Sequence, residues 1–121
     1  MKILIADDDS TIHMTYTKPL QDNGYEVFNA YDGDEAMAMV ESHKPEFLVL
    51  DISMPGMDGR DICKELKSSP DTEHIRIIML TARKEHFERR VGIEAGADDY
   101  LEKPCPVFYL ERAINTLLRK M

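Results

Sequence analysis

Acidic, hydroxyl and basic residues follow short segments of the sequence that favour β-strands. These residues are Asp7, Asp8, Asp9, Asp51, Thr81 and Lys103. Carboxylate oxygens are the ligands that a hard divalent cation takes, and Mg²⁺ usually combines one or two of them with water and a phosphate. A carboxylate can also act as a nucleophile and accept a phosphoryl group. The set therefore predicts magnesium-assisted phosphoryl transfer, provided that these residues meet in space.

The charges of the set favour a bound cation. Neighbouring carboxylates repel one another and raise one another's pKa, so we expect Asp7, Asp8 and Asp51 to need a metal ion or another cation beside them. Lys103 supplies a flexible positive charge that suits a phosphoryl oxygen, and Thr81 supplies a hydroxyl donor.

Short apolar segments alternate with longer amphipathic ones along the chain. Strands are predicted at Lys2–Ala6, Tyr25–Asn29, Phe47–Leu50, Arg76–Leu80 and Asp99–Glu102. Helices are predicted at Ser10–Asn23, Asp34–His43, Gly59–Lys67, Glu85–Ala95 and Val107–Lys120. Three strand segments are apolar without alternation, which is typical of strands that a parallel sheet buries on both faces. Five βα units predict a doubly wound α/β sheet, whose ligands bind outside the carboxyl ends of the strands.

Several residues predict how the helices begin and end. Ser10 and Thr11 are candidate N-cap residues for the first helix, and Gly24 and Gly96 suit the position after a helix end. Pro19 lies inside the first helix and removes one backbone hydrogen bond, so we expect a kink there.

The composition predicts one acidic globular domain over residues 1–121. The chain has a net charge of −8 and 43% hydrophobic residues, and an acidic domain repels phosphate backbones, which argues against direct nucleic-acid binding. No segment has the run of about 18 apolar residues that a membrane span needs, and the N-terminus does not have the pattern of a signal peptide. We therefore expect a cytoplasmic protein that makes no contact with membranes.

The cysteines and histidines give no sign of a metal site. Cys63 and Cys105 have no metal-ligand spacing, and we expect both to be free thiols in a reducing compartment. The four histidines are scattered over predicted helices and a loop, where we expect surface positions: His13, His43, His74 and His86.

Four segments of the chain resemble the receiver domain of bacterial two-component response regulators. They are ILIADDD at residues 3–9, LVLDISMPGMDG at 48–59, IIMLTA at 77–82 and ADDYLEKP at 97–104. The resemblance runs from Lys2 to about Lys120. It implies a flavodoxin-like fold with five helices, the strand order 2-1-3-4-5, and a cis bond between Lys103 and Pro104.

The resemblance also implies the roles of the acidic residues. Asp51 is the implied phosphoacceptor, and the implied ligands of Mg²⁺ are Asp7, Asp8, Asp51 and the backbone carbonyl of Ser53. Mn²⁺ can take the place of Mg²⁺ in such a site. The phosphodonor is a sensor histidine kinase, a histidine phosphotransfer protein or a small phosphodonor.

A two-state switch follows from the same resemblance. Thr81 and Lys103 bind the new phosphoryl oxygens, and Tyr100 turns inward into the space that Thr81 leaves. The face that the last two predicted helices and the last strand form then changes shape, and a downstream protein or an output domain responds. The implied protein is a signalling switch rather than an enzyme, since it assists only its own phosphorylation and dephosphorylation.

The chain departs from the family pattern near its last helix. The family commonly has Phe after the Lys-Pro pair, whereas this chain has Cys105 followed by Pro106, which bears on the start of that helix and on the output face. The positions two residues after the acceptor and two after the switch threonine tune the phosphoryl lifetime in the family. They are Ser53 and Arg83 here.

Two other functions compete with this interpretation. Residues 7–11 fit the D-x-D-x-T pattern of haloacid-dehalogenase-type phosphohydrolases, but the acidic pair Asp98–Asp99 precedes Lys103 instead of following it, and Asp51 would have no role. A receiver-like protein that binds partners without phosphorylation is the second alternative. Flavin binding is weaker, because the first loop carries three acids where a phosphate needs backbone donors, and the G-x-x-x-x-G-K motif of nucleotide hydrolases is absent.

Overall fold

The computed structural model describes residues 1–82 and 96–121 of the chain. The strands are β1 (Lys2–Ala6), β2 (Glu26–Ala30), β3 (Phe47–Asp51), β4 (Arg76–Ala82) and β5 (Asp99–Lys103). The helices are α1 (Ser10–Asp22), α2 (Gly33–His43), α3 (Gly59–Lys67) and α4 (Val107–Arg119).

The five strands form one parallel sheet in the order β2-β1-β3-β4-β5. This order confirms the predicted flavodoxin-like topology. In the register of the sheet, Ala6 lies opposite both Ala30 and Leu50, and Asp51 lies opposite Leu80. The carboxyl ends of β1, β3 and β4 therefore reach the same edge of the sheet side by side.

The predicted elements agree with the structure, with small shifts at their ends. All five strands are present, and β2 begins and ends one residue later than predicted. The described residues contain four helices rather than the five predicted. The remaining prediction, a helix over Glu85–Ala95, lies outside the described residues.

Two apolar layers cover the two faces of the sheet. The layer under α2 and α3 takes alternate residues of the central strands, which include Leu4, Leu48 and Ile77. The layer under α1 and α4 takes the residues between them, such as Ile5 and Val49. Because both faces are buried, the central strands have no polar side, which explains their apolar sequences without alternation.

Asp9, not Ser10 or Thr11, caps the start of α1. Its carboxylate accepts a hydrogen bond of 2.9 Å from the backbone N–H of Thr11, so the predicted cap is wrong by one residue. A carboxylate caps as well as a hydroxyl and adds a favourable charge at the positive end of the helix.

The predicted glycine after α1 is confirmed. Gly24 has a φ of 93°, which suits the residue after a helix end. Gly96 has a φ of 102°, but the helix that it was predicted to follow lies outside the described residues. α1 continues through Pro19 to Asp22, and the predicted kink stays a prediction.

Candidate functional site

The sheet brings three of the predicted carboxylates together at its carboxyl edge. Asp7 and Asp8 follow the last residue of β1, and Asp51 is the last residue of β3. One oxygen atom from each of the three lies within 4.8 Å of the others. Asp7 and Asp51 are buried and Asp8 is exposed, so the cluster has one side that solvent reaches.

Asp7 is held by contacts at both of its carboxylate oxygens. Its Oδ1 accepts a hydrogen bond of 2.9 Å from the backbone N–H of Asp9, and its Oδ2 lies 2.8 Å from Nζ of Lys103. The residue is fully buried. A charge at this depth needs such partners, because burial without them costs several kcal/mol.

Asp51 is the carboxylate whose ionisation the site disfavours. Burial raises its pKa from 3.8 to about 6, and the negative charges of Asp7 and Asp8 act in the same direction. The charge of Lys103 and the backbone N–H of Ser53 oppose this rise. A cation at the cluster would favour the ionised form of Asp51, which is the form that can act as a nucleophile.

Lys103 lies between the two buried carboxylates. Its Nζ is 2.8 Å from Asp7 and 3.6 Å from Asp51. Burial by itself lowers the pKa of Lys103, but the hydrogen bond to Asp7 and the charge of Asp51 outweigh it, so the pKa is raised and the ammonium stays charged. The bond between Lys103 and Pro104 is cis, as predicted.

The chemistry of the donor set fits a hard divalent cation. Among the described residues, the ammonium of Lys103 lies near two of the three carboxylates, and the oxygens of Asp7, Asp8 and Asp51 are close enough to share one ion. Ser53 is exposed, and its backbone N–H lies 3.3 Å from Oδ1 of Asp51. The metal role of its carbonyl stays a prediction.

Gly59 allows the first turn of α3 to pack directly behind Asp51. A Cβ atom at this position would lie 2.6 Å from the backbone oxygen of Asp51, which is closer than real contacts permit. The glycine therefore allows α3 to approach β3 this closely.

Thr81 and Tyr100 lie on the neighbouring strands β4 and β5, with Tyr100 opposite Met79, two register positions before Thr81. Thr81 is fully buried in β4, one residue beyond the partner of Asp51 in the register. Tyr100 in β5 is partly buried, packs against the layer under α2 and α3, and buries its hydroxyl oxygen. Their predicted switch roles stay predictions, and Arg83 lies outside the described residues.

His13 contradicts the prediction that the histidines are surface residues. It is only 3% exposed, and its Nε2 lies 2.7 Å from the backbone oxygen of Asp7. Its spacing from Tyr16 and Leu20, both buried in α1, places it on the apolar side of the helix and is the signal that could have revealed it. The other histidines differ: His74 is exposed and His43 is partly buried, while His86 lies outside the described residues.

Tyr16 makes a polar contact that its apolar spacing does not predict. Its hydroxyl donates to the backbone oxygen of Cys105, 89 residues away, and burial raises its pKa to well above 10. The contact ties α1 to the segment that follows Lys103. Cys63 and Cys105 are both free thiols, as expected.

One protein family accounts for nearly all of this chain. The sequence model of the response regulator receiver domain matches residues 3–115. The chain belongs to the response regulator receiver domain family. Receiver domains of this family act in two-component signalling, which agrees with the resemblance and decides against the haloacid-dehalogenase alternative.

The relatives of this receiver domain are response regulators. It is 43% identical over 120 residues to the response regulator MprA of Mycobacterium avium and 44% identical to that of Mycobacterium leprae. In both comparisons the aligned region covers 99% of this chain and 52% of the relative. The chain therefore spans about half the length of the curated relatives it matches.

Solved structures share the fold over almost the whole receiver domain. The chemotaxis response regulator CheY4 of Vibrio cholerae has a TM-score of 0.84 and 32% identity, over 99% of this chain and 98% of that one. The receiver domain of a DNA-binding response regulator from Colwellia psychrerythraea has a TM-score of 0.89 and 30% identity, over 98% of each chain. Among the described residues, no helix combines the length and apolar character needed to cross a membrane.

Proposed function

We propose that this receiver domain accepts a phosphoryl group on Asp51 with Mg²⁺ bound beside it. The observation that carries the proposal is the cluster itself: three carboxylates within 4.8 Å of one another, with Lys103 reaching two of them. Asp7, Asp8, Asp51 and the carbonyl of Ser53 would hold the ion, and Mn²⁺ can replace it. A bound Mg²⁺ would supply the positive charge that neutralises the carboxylates and stabilises a phosphoryl group beside them.

Asp51 provides the nucleophile in this reaction. A carboxylate oxygen of Asp51 forms a bond to phosphorus while the bond between phosphorus and the donor nitrogen breaks, and the electron pair of that bond stays on the nitrogen. The donor is the phosphohistidine of a sensor histidine kinase or a histidine phosphotransfer protein; a small phosphodonor can replace it. Because phosphoryl transfer needs little covalent help, the protein contributes mainly position and charge.

Lys103 and Thr81 bind the product. The Lys103 ammonium, now 3.6 Å from Asp51, would contact a phosphoryl oxygen, and the Thr81 hydroxyl would bind a second one. New charge-assisted hydrogen bonds of this kind are the general means by which a phosphate reorders a site. Tyr100 would then move into the space beside Thr81.

The output of the switch is a change at the face that β5 and α4 help to form. A downstream protein or an output domain would read this face, and the curated relatives have about as much chain again outside the matched part. We place the domain in the cytoplasm, acting as a switch rather than as an enzyme with a separate substrate. Direct contact with nucleic acid or a membrane is not part of this proposal.

Thermal unfolding with Mg²⁺ and the phosphoryl mimic beryllofluoride tests the proposal. We expect each ligand to stabilise the wild type, by about 2.7 kcal/mol when the ligand is at 100 times its Kd, and beryllofluoride to have no effect on Asp51→Asn. A wild type that Mg²⁺ does not stabilise would contradict the metal site. Stabilisation by Mg²⁺ without any response to beryllofluoride would favour a receiver that works without phosphorylation.

A pair of neighbouring substitutions separates metal binding from a general loss of charge. Asp8→Asn removes a predicted ligand, so it should stabilise the metal-free protein and weaken Mg²⁺ binding. Asp9→Asn removes the same charge one residue further on, and it keeps a good N-cap for α1. Its Mg²⁺ affinity should stay close to that of the wild type in a calorimetric titration.

A further inference from the structure

His13 lies behind the proposed metal site and contacts the backbone carbonyl of Asp7. Asp7 is the first residue after β1, so its carbonyl lies at the end of the sheet's hydrogen-bond ladder. The carbonyl is buried, and Nε2 of His13 lies 2.7 Å from its oxygen. Since a carbonyl only accepts hydrogen bonds, Nε2 carries the proton, and without it a buried acceptor would lose its partner.

The backbone of Asp7 is thereby fixed from both sides. Its N–H donates to the backbone oxygen of Ala30, the last residue of β2, at 3.1 Å. Its carbonyl is held by His13 from α1. A side chain can keep one direction only when the backbone that carries it is fixed, so these two bonds contribute to the direction of the Asp7 carboxylate.

The imidazole ring of His13 has supports of its own. Its Nδ1 lies 2.6 Å from the side-chain amide of Asn29, and the hydroxyl of Thr17 donates a hydrogen bond of 3.3 Å to the oxygen of the same amide. The ring of Tyr31 covers it, with 4.2 Å between the ring centroids. The ring can therefore neither rotate nor withdraw without breaking contacts to α1, β2 and the segment after β2.

We propose that His13 is a positioning residue of the metal site, which holds Asp7 in the orientation that the cation needs. The inference rests on the proposed function, because it requires Asp7 to be a ligand of Mg²⁺. Residues that orient the ligands of a metal typically change its affinity about 10- to 100-fold when they are replaced. We expect a loss near the lower end of this range, because His13 acts on the backbone of the ligand and not on its carboxylate.

The test compares Mg²⁺ affinity and stability in the same set of variants. His13→Leu removes the donor, whereas His13→Gln can place an amide N–H near the position of Nε2. Leu20→Ala is the matched control, since Leu20 is fully buried in the same helix and its truncation costs about 2–5 kcal/mol. Calorimetry gives the Kd for Mg²⁺, and urea unfolding in EDTA gives the free energy of unfolding.

We expect Mg²⁺ to bind His13→Leu about tenfold more weakly than the wild type, with most of the affinity restored in His13→Gln. Leu20→Ala should lose stability but keep the wild-type Kd. Should His13→Leu fail to fold, Asn29→Ala carries the test, because it removes the support of the ring and should also weaken Mg²⁺ binding.

Two results would overturn the inference while the proposed function stands. One is an unchanged Kd in His13→Leu, or in Asn29→Ala where that variant carries the test. The other is an equal loss of affinity in Leu20→Ala, which would make the effect one of general stability. A wild type that does not bind Mg²⁺ would instead overturn the proposed function, and this inference with it.

Discussion

At the scale of single residues, the described part of the candidate site carries more negative charge than positive charge. Lys103 pairs closely with Asp7 and more distantly with Asp51, so its single positive charge cannot neutralise both carboxylates and Asp8 as well. Asp51 carries the consequence, because it is both buried and near Asp7, and its pKa rises to about 6. Burial and the neighbouring negative charges therefore disfavour the ionised form of Asp51, the proposed phosphoacceptor, when no metal is bound.

This disfavoured ionisation makes the stability of the metal-free protein depend on pH. A carboxyl whose pKa is raised from 3.8 to about 6 holds its proton more tightly in the folded state, so its contribution to stability falls as pH rises from about 4 to about 6. Above that window the ionised group costs about 3 kcal/mol at most, since one pKa unit corresponds to about 1.4 kcal/mol. Asp51→Asn should therefore gain stability over the wild type across this window and keep the gain above it.

Urea unfolding in EDTA at a series of pH values measures this difference. The exposed Asp71, replaced by Asn, controls for the loss of one negative charge away from the site. Parallel stability curves for the wild type and Asp51→Asn between pH 4 and pH 7 would show that the ionisation of the buried carboxylate is not disfavoured.

At the scale of the elements, Asp98 connects the start of β5 to β4 and α3, away from the carboxyl edge of the sheet where the candidate site lies. Its Oδ2 accepts hydrogen bonds from Nζ of Lys67 in α3, at 2.7 Å, and from the backbone N–H of Ile77 in β4, at 2.8 Å. Its own N–H donates to the carbonyl of Ile77. One carboxylate thus fixes the start of β5 against β4 and α3.

We expect Asp98→Ala to destabilise the domain by about 2 kcal/mol. Breaking a fully buried ion pair costs about 3–5 kcal/mol, but the two side chains are 18% and 19% exposed, and Lys67 keeps the carbonyl of Ile75 as a partner. Asp22→Ala breaks the exposed pair of Lys18 and Asp22 and should cost less than about 0.5 kcal/mol. Equal losses for the two variants in urea unfolding would contradict this account.

The sequence predicts the elements well because each strand segment has a distinct composition. Apolar runs such as Phe47–Leu50 are stable only as strands whose two faces are both buried. The polar residues that follow these strands then meet at one edge of the sheet. The contacts that sequence alone does not reveal are those between a side chain and a distant backbone atom. His13 and Tyr16 each form a hydrogen bond to a backbone carbonyl. Because every residue has a backbone carbonyl, the type of the accepting residue does not identify it as a partner.

The missed cap of α1 has a related cause. Asp9 belongs to a run of three acids, and its type fits both a metal ligand and an N-cap. Only the backbone geometry shows that its carboxylate turns towards the N–H of Thr11 and away from the three-carboxylate cluster, which contains Asp7 and Asp8. Residue type therefore identified the acidic site. In the fold, Asp7 and Asp8 belong to the carboxylate cluster, whereas Asp9 caps α1.

At the scale of the whole molecule, the fold separates a buried sheet from the polar edge that carries the candidate site. The central strands are buried on both sides, whereas the carboxylates lie where the strands end and one of them, Asp8, is exposed. A phosphoryl group added at this edge would change charge beside β4 and β5. Helix α4, with Phe108 and Tyr109 exposed on it, lies directly after β5 in the chain.

The mass of the intact protein after incubation with acetyl phosphate and Mg²⁺ tests the central claim most directly. The wild type should gain the mass of one phosphoryl group, and Asp51→Asn should gain none. Removal of Mg²⁺ with EDTA should abolish the gain in the wild type. A phosphoryl group on both proteins would contradict the assignment of Asp51 and direct attention to Asp7, whose carboxylate lies nearest to Lys103.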